Sequence, residues 1–502
     1  MDSSSYLQYP IIDPFNSEGF EFSLLEKDGI IVDITPRVGF VNQHKLIDPN
    51  YHTYIQTFNR KDRITTPLRK RNNRWEEITM QEAITELEQQ ISKHSAEENA
   101  IFASPENTNE ELYLTQKWAR AGIGSNAIHS FHYCESEETF NLNKNDILPI
   151  HEMMESKRIV IVGSDLKREH SHIHQLIQKC REEVHTPTTF LTENPLSPYQ
   201  SDCDETLYVK DLFAFFYCVN LYIVQNNLQF GIFTQGLSQG YTEYLQQMQN
   251  EDIEIWLLRA KTSLKDIQNF VNQIISTPQT AFILSEKKIT KELFLEVKNL
   301  MLLTEKQAKR SAGIMLLKRC CNSQGLFDMG ITPYRGAGNR EINDEYTKLL
   351  QETWGRSISN LQGFSIVDKL SAGKFHNLFI FGENPAQTHP QIWQKALQNT
   401  PFICVQTLFL NETCNDANLI IPTNFAFEIG GSYSNTFKVA VNFEAVKPSP
   451  IAWNNYHFWS IMHKRWGLSP LATPQEVFLE TISLFAASCC SGIRHQFSLN
   501  KL

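Results

Sequence analysis

The residues best placed to do chemistry fall in two similar strings. Gly163-Ser164-Asp165 follows the apolar run Ile159-Val160-Ile161-Val162, and Gly382-Glu383-Asn384-Pro385 follows Leu378-Phe379-Ile380-Phe381. Each string leads into a helix-like segment, residues 172–181 in the first case and 391–397 in the second. Four apolar residues ending at a glycine read as a buried parallel strand discharging into a loop. There the glycine lets a ligand approach the backbone, and the next helix offers unpaired N–H groups to an anion. Two such loops in one chain suggest two similar lobes, each holding half of one large ligand. Two ordinary strand-to-helix turns would give the same pattern.

The elements that must position these loops can be taken in order. Residues 20–35 alternate (Phe20, Phe22, Leu24, then Ile30, Ile31, Val32) around Asp28-Gly29, a β-hairpin signature. A basic, turn-rich connector spans 59–74. Thr79 with Glu82 forms a capping box, and Ala83, Ile84, Leu87 and Ile91 give a helical stripe behind it. A strand at 100–104 and a helix at 109–121 come next. After the first loop the pattern predicts a strand at 207–209 and an apolar helix at 212–224. Residues 228–304 read as largely helical, with a strand at Phe282-Ile283-Leu284, and 314–317 leads into a glycine-rich loop, 325–338. Strands at 402–406 and 419–422 follow the second loop, and the chain reads as helical after 452. Alternating strands and helices predict an α/β protein with parallel sheets.

Composition narrows the function classes. A chain of 502 residues exceeds one core and predicts two or three domains. Its 41% hydrophobic and 20% charged content is that of an ordinary globular protein. A net charge of −10 leaves no basic stripe to neutralise phosphates, which argues against a nucleic-acid partner. No apolar run has the length of a membrane span, and the first residues do not resemble a signal peptide. The ten cysteines show no Cys-x-x-Cys spacing, so neither a zinc site nor a disulfide framework is indicated. The expectation is a cytoplasmic, reduced protein.

Motifs along most of the chain then match a known family in order and spacing. Asn322-Ser323-Gln324-Gly325-Leu326-Phe327-Asp328-Met329-Gly330 with Trp354-Gly355 downstream is similar to N-V-Q-G-A-C-D-M-G followed by A-W-G. Residues 382–390 resemble G-E-N-P-A-x-S-x-P, Phe409 to Thr413 resembles F-L-T-E-T, and Ile421-Pro422 with Glu428 through Asn435 resembles L-P…E-x-x-G-T-F-T-N. Asp62-Arg63-Ile64, Pro67-Leu68 and Thr108 to Arg120 also match. The chain therefore resembles the molybdopterin oxidoreductase (DMSO reductase) family, and within it the α-subunits of formate dehydrogenases. The resemblance implies two Rossmann-like parallel-sheet domains, one discontinuous and the other inserted, with a small N-terminal β domain. It divides the chain into 1–74, 75–129 with 313–470, an inserted 130–312, and a helical, polar tail at 471–502. It also implies a bis-molybdopterin guanine dinucleotide carrying molybdenum or tungsten. By matching, Gly163, Ser164, Asp165, His170 and Asp211 would hold one nucleotide half, Asp211 standing in a shortened form of the family's G-T-D turn. Gly382, Glu383, Asn384, Gln406, Thr413, Ser434 and Asn435 would line the other, while Gln324, Gly325, Asp328, Met329 and Gly330 belong to the retained cofactor motif.

Four departures qualify the likeness. The family's N-terminal cluster cysteines are Asp13, Asn16, Phe20 and Ile47 here, so the resemblance implies that the [4Fe–4S] cluster is lost and its β domain survives as scaffold. At the metal ligand, strict counting selects Glu135, whereas a one-residue deletion selects Cys134 and makes Glu135 the neighbour that handles protons in formate dehydrogenases. A cysteine with no ligand role is the plain alternative. The arginine that anchors formate becomes Lys318, which keeps the charge but loses the bidentate fork; Arg319 beside it is a substitute. Finally, the family's β-barrel cap has no counterpart in the motifs, which implies a protein partner supplying cap and electron path. Two functions follow. One is a molybdenum- or tungsten-dependent oxidoreductase handling formate or a similar small molecule, with non-redox hydratase-like chemistry also open to it. The other is a catalytically inactive scaffold or assembly subunit of a redox complex, comparable to the family-like large subunit of complex I.

Overall fold

The structure is a computed structural model and describes residues 6–49, 51–134, 140–141, 147–230, 238–306, 309–358, 361–486 and 495–496. The chain divides into two compact units, Met1–Glu138 with Cys320–Cys490, and Thr139–Arg319 with Ser491–Leu502.

The first unit is built on a seven-stranded sheet. Five parallel strands lie side by side in the order Ile128–His129, Asn99–Ala103, Asn377–Phe381, Phe402–Thr407 and Leu419–Pro422. In chain sequence that is 2-1-3-4-5, a doubly wound order whose switch point falls between Asn99–Ala103 and Asn377–Phe381. Leu68–Arg71 and Arg74–Glu77 extend the edge antiparallel. The second string thus forms the central strand, and it is buried at every residue. Its side chains alternate between two layers, as strand geometry requires. Leu378 and Ile380 join Ala100, Phe102, Ile403 and Val405 in one cluster. On the other side Phe379 and Phe381 meet the edge of Trp118, with ring centroids 5.6 and 6.2 Å apart. Each such side chain contributes roughly 1.5–3 kcal/mol on burial, which fixes the register of the strand whose end carries Gly382.

A three-stranded antiparallel sheet (Leu7–Ile12, Glu21–Lys27, Ile30–Pro36) belongs to the same unit. Its expected hairpin turns at Asp28 and Gly29, both at positive φ (54° and 80°), as a two-residue turn of the right twist demands. The Thr79–Glu82 capping box forms at the head of Met80–Ser92, whose Ala83, Ile84, Leu87 and Ile91 are all buried.

The second unit carries a five-stranded parallel sheet in the spatial order Glu205–Tyr208, Thr188–Thr192, Arg158–Val162, Thr280–Ser285, Gly313–Leu317. This is the 3-2-1-4-5 arrangement, with its switch point between Arg158–Val162 and Thr280–Ser285. The apolar helix expected at 212–224 runs Leu212–Gln225 and is almost wholly buried, and the strand expected at 282–284 is Thr280–Ser285.

Two readings of the sequence change. The connector 59–74 supplies an antiparallel edge strand, whose turn uses Asn72 and Asn73 at φ 48° and 61°. The glycine-rich stretch 325–338 is not a loop but a short helix, Ser323–Asp328, running into a three-stranded meander. Its glycines serve close packing: a Cβ on Gly325 would lie 2.0 Å from Asn322 Oδ1 and 2.3 Å from Asn109 Oδ1.

Candidate functional site

Both glycine loops sit at the carboxyl ends of their strands, next to the switch points, where open α/β sheets take ligands. In the second unit Gly163 has φ +73°, and its N–H donates to Leu191 O at 2.8 Å. Ser164 is fully buried, and its Oγ has no hydrogen-bond partner. Asp165 caps Leu166–Glu169. His170 Nε2 lies 2.8 Å from Ser285 Oγ, tying the first loop to the neighbouring strand end across the switch point. A cavity of about 910 Å³ lies in this unit against Lys210, Asp211, Arg259 and Lys288. Asp211 has two commitments there: Oδ1 caps the apolar helix through Ala214 N–H (2.9 Å), and Oδ2 accepts from Arg259 Nε (2.7 Å).

Lys318 belongs to the same unit and is sealed from solvent. Its Nζ pairs with Glu286 Oε1 at 2.7 Å and donates to Phe140 O at 3.0 Å, with both charged side chains at most 2% exposed. Its charge is therefore already offset. Arg319 is half-buried.

In the first unit Gly382 (φ +78°) packs closely enough that a Cβ would stand 3.0 Å from Ser104 Cβ and 3.2 Å from Asn107 Oδ1. Asn384 and Thr413 bind each other, Thr413 Oγ1 donating to Asn384 Oδ1 at 2.8 Å. Gln406 is buried, and its Nε2 has no hydrogen-bond partner. A cavity of about 270 Å³ is lined here by Gly382, Glu383, Asn384, Thr407 and Phe409, among others. Gln324 gives its Nε2 to Asp328 Oδ1 (2.8 Å), while its own Oε1 is buried and unpartnered. Met329 and Gly330 lie in the buried strand Met329–Thr332, Gly330 at φ +71° against the Gly336 backbone. Ser434 and Asn435 work inward: Ser434 N–H donates to Asn322 Oδ1 at 2.7 Å, and Asn435 Nδ2 to Glu18 O at 2.9 Å.

Glu383 does something its motif did not announce. Its carboxylate faces the segment just before Cys134, accepting from the Ser130 hydroxyl at 2.5 Å, Phe131 N–H at 3.1 Å and His132 N–H at 3.4 Å. Burial pushes this carboxyl up to about 8, against the pull of those three donors. His132 Nε2 then meets Ser323 Oγ at 2.8 Å, at the head of the Ser323–Asp328 helix. Glu383, Ser130, His132 and Ser323 thus join three segments; Ser323 stands in the Asn322–Gly330 motif without a role assigned to it there, and no motif of the sequence contains Ser130 or His132. Cys134 follows directly, buried (3% exposed) in the cluster of Phe131, Ile380 and Trp393. Glu135, the other ligand candidate, lies outside the described residues.

At the four positions matched to cluster cysteines, Asp13 and Asn16 are hydrogen-bonded to each other and buried. Asp13 Oδ2 also accepts from Tyr54 OH at 3.1 Å. Phe20 is buried, and Ile47 packs on the apolar cluster beneath the N-terminal sheet. Burial lifts Asp13 to about 7.

The two doubly wound parallel sheets, each with a glycine loop at its carboxyl end, define an α/β protein of the doubly wound class. The sequence profile of the family described as molybdopterin oxidoreductase matches residues 63–193 and 220–463, and the chain belongs to that family. It is 25% identical over 453 residues to the F420-dependent formate dehydrogenase subunit alpha of Methanocaldococcus jannaschii, covering 84% of this chain and 65% of that one. It is 24% identical over 491 residues to the assimilatory nitrate reductase catalytic subunit of Bacillus subtilis, covering 92% and 68%. Among solved structures, acetylene hydratase from Pelobacter acetylenicus shares the fold with a TM-score of 0.67 at 14% identity, over 95% of this chain and 71% of that one. The chain thus spans about two thirds of the length of these curated relatives. Among the described residues no helix is long and apolar enough to cross a membrane.

The family implies a molybdopterin cofactor with molybdenum or tungsten, and the residues present fit such a group. Ser164 Oγ, Gln324 Oε1 and Gln406 Nε2 are buried side-chain atoms without partners at positions matched to cofactor contacts. Such orphans cost roughly 1–3 kcal/mol each unless a ligand satisfies them. A pterin and a diphosphate carry the complementary donors and acceptors.

Proposed function

We propose that this chain is the cofactor-holding subunit of a formate dehydrogenase-like enzyme, binding a bis-molybdopterin guanine dinucleotide and acting on formate or a comparably small molecule. The observation that carries it is the set of three buried, unpartnered polar atoms at cofactor-matched positions in a chain of this family. Gly163, Ser164, Asp165, His170 and Asp211 would serve one nucleotide. Gly382, Asn384, Gln406, Thr413, Ser434 and Asn435 would serve the other, and Gln324 through Gly330 a pterin. When bound, the molybdenum or tungsten centre supplies the two-electron chemistry. The chain's own residues orient it and the substrate. Cys134 is the proposed metal ligand, because the Glu383 carboxylate fixes the segment before it. Since Lys318 is neutralised by Glu286, the proposed anchor for a substrate carboxylate is Arg319. Glu135 is proposed to hold or move the proton beside the ligand. Asp13, Asn16, Phe20 and Ile47 offer no thiolate, which supports a chain without its own [4Fe–4S] cluster and electron transfer through a partner subunit.

The test is purification of the chain with whatever accompanies it, followed by metal and guanine-nucleotide analysis and formate oxidation with an artificial acceptor. Stoichiometric metal and pterin, with formate turnover, support the proposal. A stable complex containing neither would replace it with the scaffold function.

A further inference from the structure

A second set of ligand-type side chains lies in the first unit, at the opposite end of the same sheet. His94 follows the Met80–Ser92 helix, Glu98 immediately precedes the strand Asn99–Ala103, and His376 immediately precedes Asn377–Phe381. The two strands are register neighbours, Asn377 opposite Asn99, so Glu98 and His376 leave adjacent strands at the same level. The ligand atoms of the three side chains lie within 4.8 Å of one another. The two imidazoles are nearly parallel, with centroids 4.6 Å apart and planes at 13°.

Three features make this more than a chance meeting of polar groups. First, His376 Nδ1 stands 3.0 Å from Glu98 Oε1, yet it is a buried atom with no hydrogen bond. Two donor atoms near that spacing are what a four-coordinate ion sets, since Zn–N and Zn–O bonds near 2.0–2.1 Å place ligand atoms roughly 3.3 Å apart. Second, the carboxylate is already oriented. Glu98 Oε2 accepts from Ser95 N–H (2.8 Å) and Ser95 Oγ (2.7 Å), which leaves Oε1 turned to the imidazole. Third, the backbone beneath is locked. His376 N–H donates to Glu98 O at 2.9 Å, and Asn377 Nδ2 donates to Asn99 Oδ1 at 2.8 Å. Asn99 Nδ2 in turn donates to Ser95 O at 2.8 Å. Outer contacts that hold the first ligands in place are typical of built metal sites.

We propose that His94, Glu98 and His376 form a zinc site, with two imidazole nitrogens and one carboxylate oxygen as ligands and water completing four-coordination. All three residues are half-buried, so the ion has a path from solvent. The site lies at the amino-terminal ends of the strands, whereas Gly382 and Glu383 stand at the carboxyl end of Asn377–Phe381. Bound zinc would staple the helix end to two core strands rather than take part in the reaction.

The test is titration of the full chain, as purified, with zinc chloride by calorimetry, alongside His94→Ala, His376→Ala and Glu98→Gln. Cobalt(II) absorption then reads the ligand types. The expected result is one zinc per chain that both histidine variants abolish and Glu98→Gln weakens at least tenfold, with a cobalt spectrum free of thiolate charge transfer. Thermal unfolding of the zinc-free variants should match that of zinc-free wild type, since the side chains are half-exposed. Zinc stoichiometry unchanged in both histidine variants would overturn the proposal, as would a cobalt–thiolate band.

Discussion

Substituting Glu383 by Gln tests the chain of contacts around Cys134. The carboxyl is lifted from the usual 4.5 to about 8, with burial the dominant cause and the Ser130, Phe131 and His132 donors opposing it. A carboxyl whose folded value is raised contributes stability that is fully present below pH 4.5 and lost as pH rises through about 8. Each tenfold change in proton affinity is worth about 1.4 kcal/mol, so the whole window corresponds to at most about 5 kcal/mol. Gln keeps the shape and stays neutral at every pH. The wild type should therefore lose stability relative to Glu383→Gln between pH 5 and 9 by several kcal/mol, with Asp13 and other raised carboxyls cancelling in the difference. Seven of the eight tryptophans lie in the unit that contains Glu383, so urea unfolding followed by tryptophan fluorescence reports on it. A stability difference that stays flat over this range, or that moves in favour of wild type at high pH, would refute the assignment of a largely neutral buried carboxyl.

Other outcomes follow from single contacts. Lys318→Met should destabilise its unit by about 3–5 kcal/mol, because it strands Glu286 in the interior, and Lys318→Met with Glu286→Leu should recover much of that loss in a double-mutant cycle. Gly382→Ala places a Cβ at φ +78° and 3.0 Å from Ser104 Cβ; a cost of about 1–2 kcal/mol for the backbone alone should appear in thermal unfolding, with weaker retention of guanine nucleotide. Cys134→Ser should lower metal content measured by mass spectrometry while leaving nucleotide content near wild type, if the thiolate is the ligand. Ile380→Ala, in a residue with no exposed surface, should cost about 2–5 kcal/mol in urea unfolding.

How much of this was legible in the sequence depends on the range of the interaction. The strand at 377–381, the Asp28-Gly29 turn and the Thr79 capping box are written in neighbouring residues, since period, turn chemistry and caps are local properties. The glycine-rich stretch misled for the same reason. Its glycines suggest a free loop, but Gly325 and Gly330 are needed for contact with Asn109, more than two hundred residues earlier, and with the Gly336 backbone. Periodicity put Gly163 and Gly382 directly after the buried strands Arg158–Val162 and Asn377–Phe381, because an apolar run ending at a glycine is a local signal. It did not show which way a side chain turns. Glu383 matched a nucleotide-lining position, yet its carboxylate is engaged by Ser130, Phe131 and His132.

Those contacts explain how the segment that leads to Cys134 is kept in place. The segment 130–134 has no long regular element to support it, only a strand of two residues before and a single turn within. Its position is set instead by a buried carboxylate just after the buried central strand Asn377–Phe381 and by a serine at a helix head. A loop held by hydrogen bonds from two rigid elements is preorganised in the sense that catalysis requires. Loss of Glu383 would leave the Ser130 hydroxyl and the Phe131 N–H unpaired at roughly 1–3 kcal/mol each and loosen the segment, while His132 N–H keeps Ser130 Oγ at 3.2 Å. Faster hydrogen exchange at the Phe131 amide in Glu383→Ala, with exchange in Asn377–Phe381 unchanged, is the signature of that loosening.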